Sequence, residues 1–169
     1  AEVLAGVRPA TGGKARLMNR DILNKTPRQI HEEGLYQIPS DRHGMGLIMD
    51  FNVGENLVLE SYYLPSFHKW HLLNHEGVSI NAKNVISKYD IRGGDATKIA
   101  RLFSGGNQQK IVLARELEQR PKVLVAAQPS RGLDVGATEF VRNKLLEEQS
   151  KGMAILLIST ELEEILSLS

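Results

Sequence analysis

Two stretches, Val123-Leu124-Val125-Ala126-Ala127 and Ala154-Ile155-Leu156-Leu157-Ile158, are apolar at every position. A strand with one wet face alternates. An unbroken apolar run of strand length belongs to a strand covered on both sides, as in parallel sheets. Val135 to Gln149 lies between the two runs and reads as a helix, with Asp134 as its N-cap. A strand, a helix and a second strand of this kind predict an α/β fold built on a parallel sheet.

Upstream, Glu2 to Gly6 reads as the tail of a helix closed by glycine, and Arg8 to Gly13 as a turn. Lys14 to Met18 alternates like a half-exposed strand. Pro27 to Glu33 reads as a short helix capped by Thr26 and ended by Gly34, followed by a strand at Leu35–Ile38. Asp41 to Gly46 reads as a charged, glycine-rich loop. Val53–Tyr63 and Ile80–Tyr89 read as helices joined by a polar, aromatic segment around Pro65 to His75. The 169 residues suffice for one domain with a substantial core. A net charge of +1 gives no bulk attraction to nucleic acid, and without cysteine there is neither disulfide nor thiolate chemistry. No apolar run approaches the roughly 20 residues that span a bilayer, and the start lacks the pattern of a signal peptide. A soluble cytoplasmic domain is expected.

The chemistry concentrates in Phe103-Ser104-Gly105-Gly106-Asn107-Gln108-Gln109-Lys110, a polar turn running into a helical pattern from Ile111 to Glu118. Such a turn leaves unpaired backbone N–H groups at a helix start, where the helix dipole also favours an anion. Ser104 adds a hydroxyl. The turn fits a phosphate site, and it fits plain helix capping equally well.

The order of motifs after it separates these readings. Ser104-Gly105-Gly106-Asn107-Gln108 resembles the signature motif of an ABC transporter nucleotide-binding domain. Val123 to Gln128 lies where that family has its Walker B strand, and Gly132-Leu133-Asp134 is similar to its D-loop. Ala-Ala-Gln-Pro (Ala126–Pro129), Arg-Gly-Leu-Asp-Val-Gly-Ala (Arg131–Ala137) and the stretch Ile38 to Leu47 resemble the C-terminal half of the twin ATPase subunit of simple-sugar and nucleoside importers. The resemblance runs from about Val3 to the end of the chain. It implies a P-loop NTPase-like core over residues 1–41 and 106–169, with 42–105 as an inserted helical subdomain ending in the signature motif.

The resemblance also shows what is missing. Gly12-Gly13-Lys14 does not make a P-loop: Arg8 stands where the first glycine belongs, Ala15 replaces the Ser/Thr, and a strand follows instead of a helix. The family's P-loop is expected upstream of Ala1, so the chain reads as a fragment that begins after it. Ala127 stands at the metal-binding aspartate and Gln128 at the catalytic glutamate; alanine cannot help hold Mg²⁺, and glutamine cannot take a proton. Thr160 occupies the place of the switch histidine and fits a capping box with Glu163. Ser40 falls at the Q-loop glutamine, with Gln37 nearby as the lesser candidate. The resemblance therefore implies a degenerate site in this half. Ser104, Gly105, Gly106, Asn107 and Gln108, with Asp134, are offered in trans to ATP on the partner half, which carries most of the Mg²⁺ contacts. The implied partners are the N-terminal ATPase half and an integral membrane permease at the cytoplasmic face of the membrane, with no nucleic acid. A non-catalytic regulatory or interaction module on the same fold is the alternative. An ABC protein acting on DNA or ribosomes calls for a basic face or a long coiled coil, and neither is visible.

Weaker signals complete the reading. His68, His71 and His75 have helix-compatible spacing, but no cysteine and few carboxylates accompany them, so a solvated connection fits better than a metal site. Phe67 and Trp70 fit either packing or contact with a membrane partner. Arg42 and His43 beside Asp41 fit either a solvated loop or a contact to nucleotide or permease. Lys110, Arg115 and Arg120, balanced by Glu116 and Glu118, read as an ordinary exposed helix face.

Overall fold

The computed structural model of the chain describes residues 1–70 and 72–168. The chain opens on a helical turn in which the Gly6 amide donates to the Val3 carbonyl and the Val7 amide to the Glu2 carbonyl. This pair of reverse bonds needs a left-handed residue, and Gly6 supplies it at φ 74°. The expected strand Lys14–Met18 contracts to β1 (Arg16–Leu17), paired antiparallel with β2 (Arg20–Asp21). Met18 and Asn19 both take positive φ, 48° and 65°, as a tight two-residue hairpin turn demands.

Helix α1 (Pro27–Glu33) forms where expected. The Gln29 amide donates to Thr26 Oγ1, and the Thr26 amide donates back to the Gln29 side chain, a complete capping box. Thr26→Ala should cost about 1 kcal/mol in urea-unfolding stability. Gly34 then turns the chain into β3 (Leu35–Ile38). A single π-helical turn, Arg42–Gly46, follows, where a loop was expected. Asp41 organises it by accepting hydrogen bonds from the His43 and Gly44 amides.

Helix α2 (Val53–Val58) stops short of the expected Tyr63. Beyond it the Ser61 and Leu64 amides bond three residues back, to Val58 and Ser61, and Pro65 disfavours helical geometry at Leu64. Next comes a hairpin that was not expected, β4 (His68–Lys69) with β5 (Leu72–Leu73). His71 lies outside the described residues. His68 and His75 sit on different elements, strand and helix, and among the described residues no cluster suits a metal ion. Helix α3 (His75–Lys88) begins before the expected Ile80 because Asn74 caps it, accepting from the Gly77 amide.

Helix α4 (Gly105–Glu118) leads into β6 (Val123–Ala127), α5 (Val135–Ser150), β7 (Ala154–Ile158) and α6 (Leu162–Leu168). Strands β3, β6 and β7 form one parallel sheet in that order, with Leu35 beside Val123 and Val123 beside Ala154. Leu124, Val125 and Ala126 at its centre are wholly buried. On β7 the expectation of two covered faces fails: Leu156 is 44% and Ile158 40% exposed, and no described strand pairs with its outer edge.

Helix α4 is buried nearly all round, which corrects the expected exposed basic face. Lys110 and Arg115 are 8% and 3% exposed, and Glu116 is fully buried. Lys110 Nζ reaches the Asp90 carboxylate at 2.9 Å and its carbonyl at 2.7 Å, and lies 4.4 Å from the centre of the Phe140 ring. Arg115 pairs with Glu116 at 2.7 Å and Glu60 at 3.6 Å, and donates to the Gly46 carbonyl at 2.8 Å. Burial pushes the Glu116 carboxyl up to about 8, against the pull of Arg115 and with the help of Glu60. Burial works against the Arg115 guanidinium too, but Glu116 and Glu60 outweigh it and hold its pKa above the ordinary value. These contacts fix α4 against the segment after α2, the Arg42–Gly46 turn and the residue that follows α3's C-cap.

Candidate functional site

Ser104 caps α4: its Oγ accepts from the Asn107 amide at 3.5 Å and from Asn107 Nδ2 at 3.2 Å. The Gln108 amide bonds the Ser104 carbonyl at 2.9 Å. Among the described residues the Gly105 and Gly106 amides find no acceptor, so two donors point out of the N-terminus of a 14-residue helix. One turn therefore combines a side-chain cap with two free backbone donors.

The D-loop stretch lies against this turn. A Cβ on Gly106 would stand 2.9 Å from Ala137 Cβ and 3.5 Å from Asp134 Oδ2, so only glycine permits the approach. Asp134 caps α5 through the Ala137 amide at 2.8 Å. Ser104, Gly106, Asn107 and Asp134 share a cleft of about 410 Å³, with Lys110 and Phe140 on its wall. Its charges are mixed: Arg92 and Lys110 against Asp90, Asp134 and Glu139. Gln108, expected among the ATP-facing residues, does not line this cleft. Its side chain is buried, pairing with His43 Nε2 at 2.9 Å and donating to the Ala100 carbonyl at 3.2 Å.

Three contacts that were not foreseen hold the surroundings. Gln109 Nε2 donates to the Pro129 carbonyl at 2.8 Å, joining α4 to the turn after β6. Arg42 Nη1 donates to the Arg131 carbonyl at 3.0 Å, joining the π-helical turn to the D-loop. The Ser130 amide and hydroxyl both donate to Glu164 Oε1, tying α6 to the same turn. Paired glutamines on one helix were the only local signal, and they do not name their partners.

At the end of β6, Ala127 is buried and offers no ligand atom. Gln128 follows with φ 48°, its amide on the Ile158 carbonyl at 2.7 Å and its Oε1 buried without a partner. A left-handed glutamine costs of order 1 kcal/mol and survives only where neighbours hold it; here the Ile158 carbonyl does so. Thr160 is exposed, and the capping box expected from it is replaced by Ser159, whose Oγ accepts from the Glu161 amide at 3.0 Å. Ser40 is exposed at the end of β3, and Gln37 pairs in register with Val125, its Oε1 buried without a partner. These positions lie at the end of the sheet and do not line the Ser104–Asp134 cleft.

No family model matches the chain. It is 46% identical over 168 residues to the guanosine import ATP-binding protein NupO of Bacillus subtilis, covering 99% of this chain and 33% of that protein. It is 39% identical, over the same shares, to the nucleoside import ATP-binding protein NupA of Lactococcus lactis. The chain thus spans about a third of the length of these curated relatives. Among solved structures, a nucleotide-free ATP-binding cassette from an ABC transporter matches with a TM-score of 0.78 and 25% identity, covering 99% of this chain and 67% of that one. The sheet order, the capped glycine turn before β6, the D-loop beside it and these likenesses agree, and the chain belongs to the ATP-binding cassette proteins.

Proposed function

We propose that the chain supplies the signature side of an ATP site in the ATP-binding protein of a nucleoside or simple-sugar importer. The observation that carries this is the pair of unpaired amides, Gly105 and Gly106, at the start of α4, where Ser104, Gly106 and Asn107 line a cleft shared with Asp134. Backbone donors at a helix N-terminus, with a serine hydroxyl beside them, suit the terminal phosphate of a nucleotide triphosphate brought up by another domain.

In this reading Ser104 and the two glycine amides grip that phosphate, Asn107 orients the Ser104 hydroxyl, and Asp134 carries contacts across the interface. Gln108 acts indirectly by anchoring α4 to His43. Mg²⁺ belongs mainly to the partner half, since Ala127 offers no carboxylate. The site at the end of β6 binds without hydrolysing, because Gln128 can orient water but not deprotonate it. Residues 1–41 and 106–169 act as the α/β core and 42–105 as the helical subdomain, which meets the permease at the cytoplasmic face of the membrane. Ribose, guanosine and nucleoside import in the names of relatives support the substrate class and no single substrate.

The test is ATP turnover by the intact ATP-binding protein carrying this segment, assembled with its permease, before and after Ser104→Arg. Unchanged turnover overturns the reading.

A further inference from the structure

Residues Asp41 to Gly46 are held to the signature helix at two points. His43 meets Gln108 at 2.9 Å, and the Gly46 carbonyl receives Arg115 Nη1 at 2.8 Å. Asp41 braces the turn from within, and the hydrogen bonds from the Gly44 and His43 amides hold its carboxyl below the usual carboxylate range. From this fixed base the Arg42 side chain reaches across to two other segments. Its guanidinium lies against Gly105, with Nη2 only 3.0 Å from where a Cβ would stand. Its Nη1 donates to the Arg131 carbonyl, 89 residues away in sequence, and its Nε is buried without an acceptor. Gln109 and Glu164 anchor the start of the D-loop turn at Pro129 and Ser130, and within the turn two bonds follow, Arg131 amide to Gln128 carbonyl and Leu133 amide to Ser130 carbonyl, both 3.2 Å.

We propose that Arg42 is a positioning residue for the ATP site: it ties the D-loop turn to the signature turn, so that Asp134 stays set for its interface contacts while the Gly105 and Gly106 amides meet the bound phosphate. This rests on the function proposed above. The absent side chain at Gly105 has a second use here, since an alanine Cβ would press on the guanidinium. The Asp41–Gly46 turn thereby gains a mechanical line to the nucleotide: any shift of that turn moves Arg42, and with it the spacing of the two motifs.

The test uses Arg42→Ala and Arg42→Lys. In the intact ATP-binding protein with its permease, Arg42→Ala should lower kcat about tenfold while the KM for ATP stays within about threefold, because the loss is one of alignment. Arg42→Lys keeps a charged donor and should recover part of the rate. In the 169-residue chain, hydrogen exchange of the Leu133 amide should quicken about tenfold in Arg42→Ala, with Leu124 and Val125 on β6 unchanged. An unchanged kcat together with unchanged Leu133 protection overturns the proposal. If Arg42→Ala unfolds the chain, β6 exchange collapses too, and Arg42→Lys decides by the same two readouts. If Ser104→Arg also leaves turnover untouched, the ATP-site reading has failed, while Leu133 exchange still reports whether Arg42 holds the D-loop.

Discussion

Ser104→Arg should lower ATP turnover by at least about 10²-fold, the loss seen when one preorganised donor to a developing charge is removed. Three effects combine. The hydroxyl beside the Gly105 and Gly106 amides disappears. The long side chain enters the cleft of about 410 Å³ that Ser104 shares with Asp134. The N-cap of α4 is lost as well, which costs about 1 kcal/mol of stability and is small beside the catalytic loss. The three separate experimentally: thermal midpoint reports the cap, ATP titration the blocked cleft, and single-turnover rate the missing donor. Ser104→Ala removes the hydroxyl and cap without filling the cleft, so it should retain ATP binding and still lose about 10²-fold in single-turnover rate.

Above about pH 8, where Glu116 is ionised, Arg115→Ala should destabilise the chain by about 3–5 kcal/mol, the cost of leaving a buried carboxylate without its partner. Arg115 is 3% exposed, and beside it Glu116 is fully buried with Oε2 already lacking a hydrogen-bond partner. The sign of the pH dependence follows. Glu116 has its folded-state pKa raised to about 8, so between its unfolded value near 4.5 and about 8 the folded chain holds the extra proton. Stability from this group is therefore complete at low pH and falls as pH rises through that window. Removing Arg115 takes away the opposing pull, so the deficit should be larger at pH 8 than at pH 5 in urea unfolding. Glu116→Gln added to Arg115→Ala should return a large part of the loss, since the orphaned charge is gone. A deficit that is the same at both pH values would mean that Glu116 does not change its protonation between them.

The parts legible in sequence are those set by neighbours along the chain. The caps at Thr26, Ser104 and Asp134 and the apolar runs of β6 and β7 carry their reasons within a few residues. The β1–β2 and β4–β5 hairpins were blurred or missed, because strands of two residues have no period to detect. The basic residues of α4 misled for a different reason. Lys110 and Arg115 with Glu116 match the composition of a wetted face, and only their partners Asp90, Glu60 and Gly46 make them core residues. Arg42 was left between two readings, and its partner is an Arg131 carbonyl that carries no side-chain signature at all. Ser104, Gly106 and Asp134 were grouped by motif order, and their meeting in one cleft follows from the Gly106–Ala137 contact.

The bare outer side of β7 has a consequence for the colloidal behaviour of the chain. Among the described residues no strand pairs with the outer edge of β7, and its five apolar residues carry no charge or proline and expose Leu156 and Ile158. Nothing along the strand discourages a second copy from adding to it. Association along such an edge draws on free chains by mass action, so the fraction able to meet any other partner falls as concentration rises. Dilution then raises the fraction of chain that is free to meet other partners, and Leu156→Lys should do the same at high concentration.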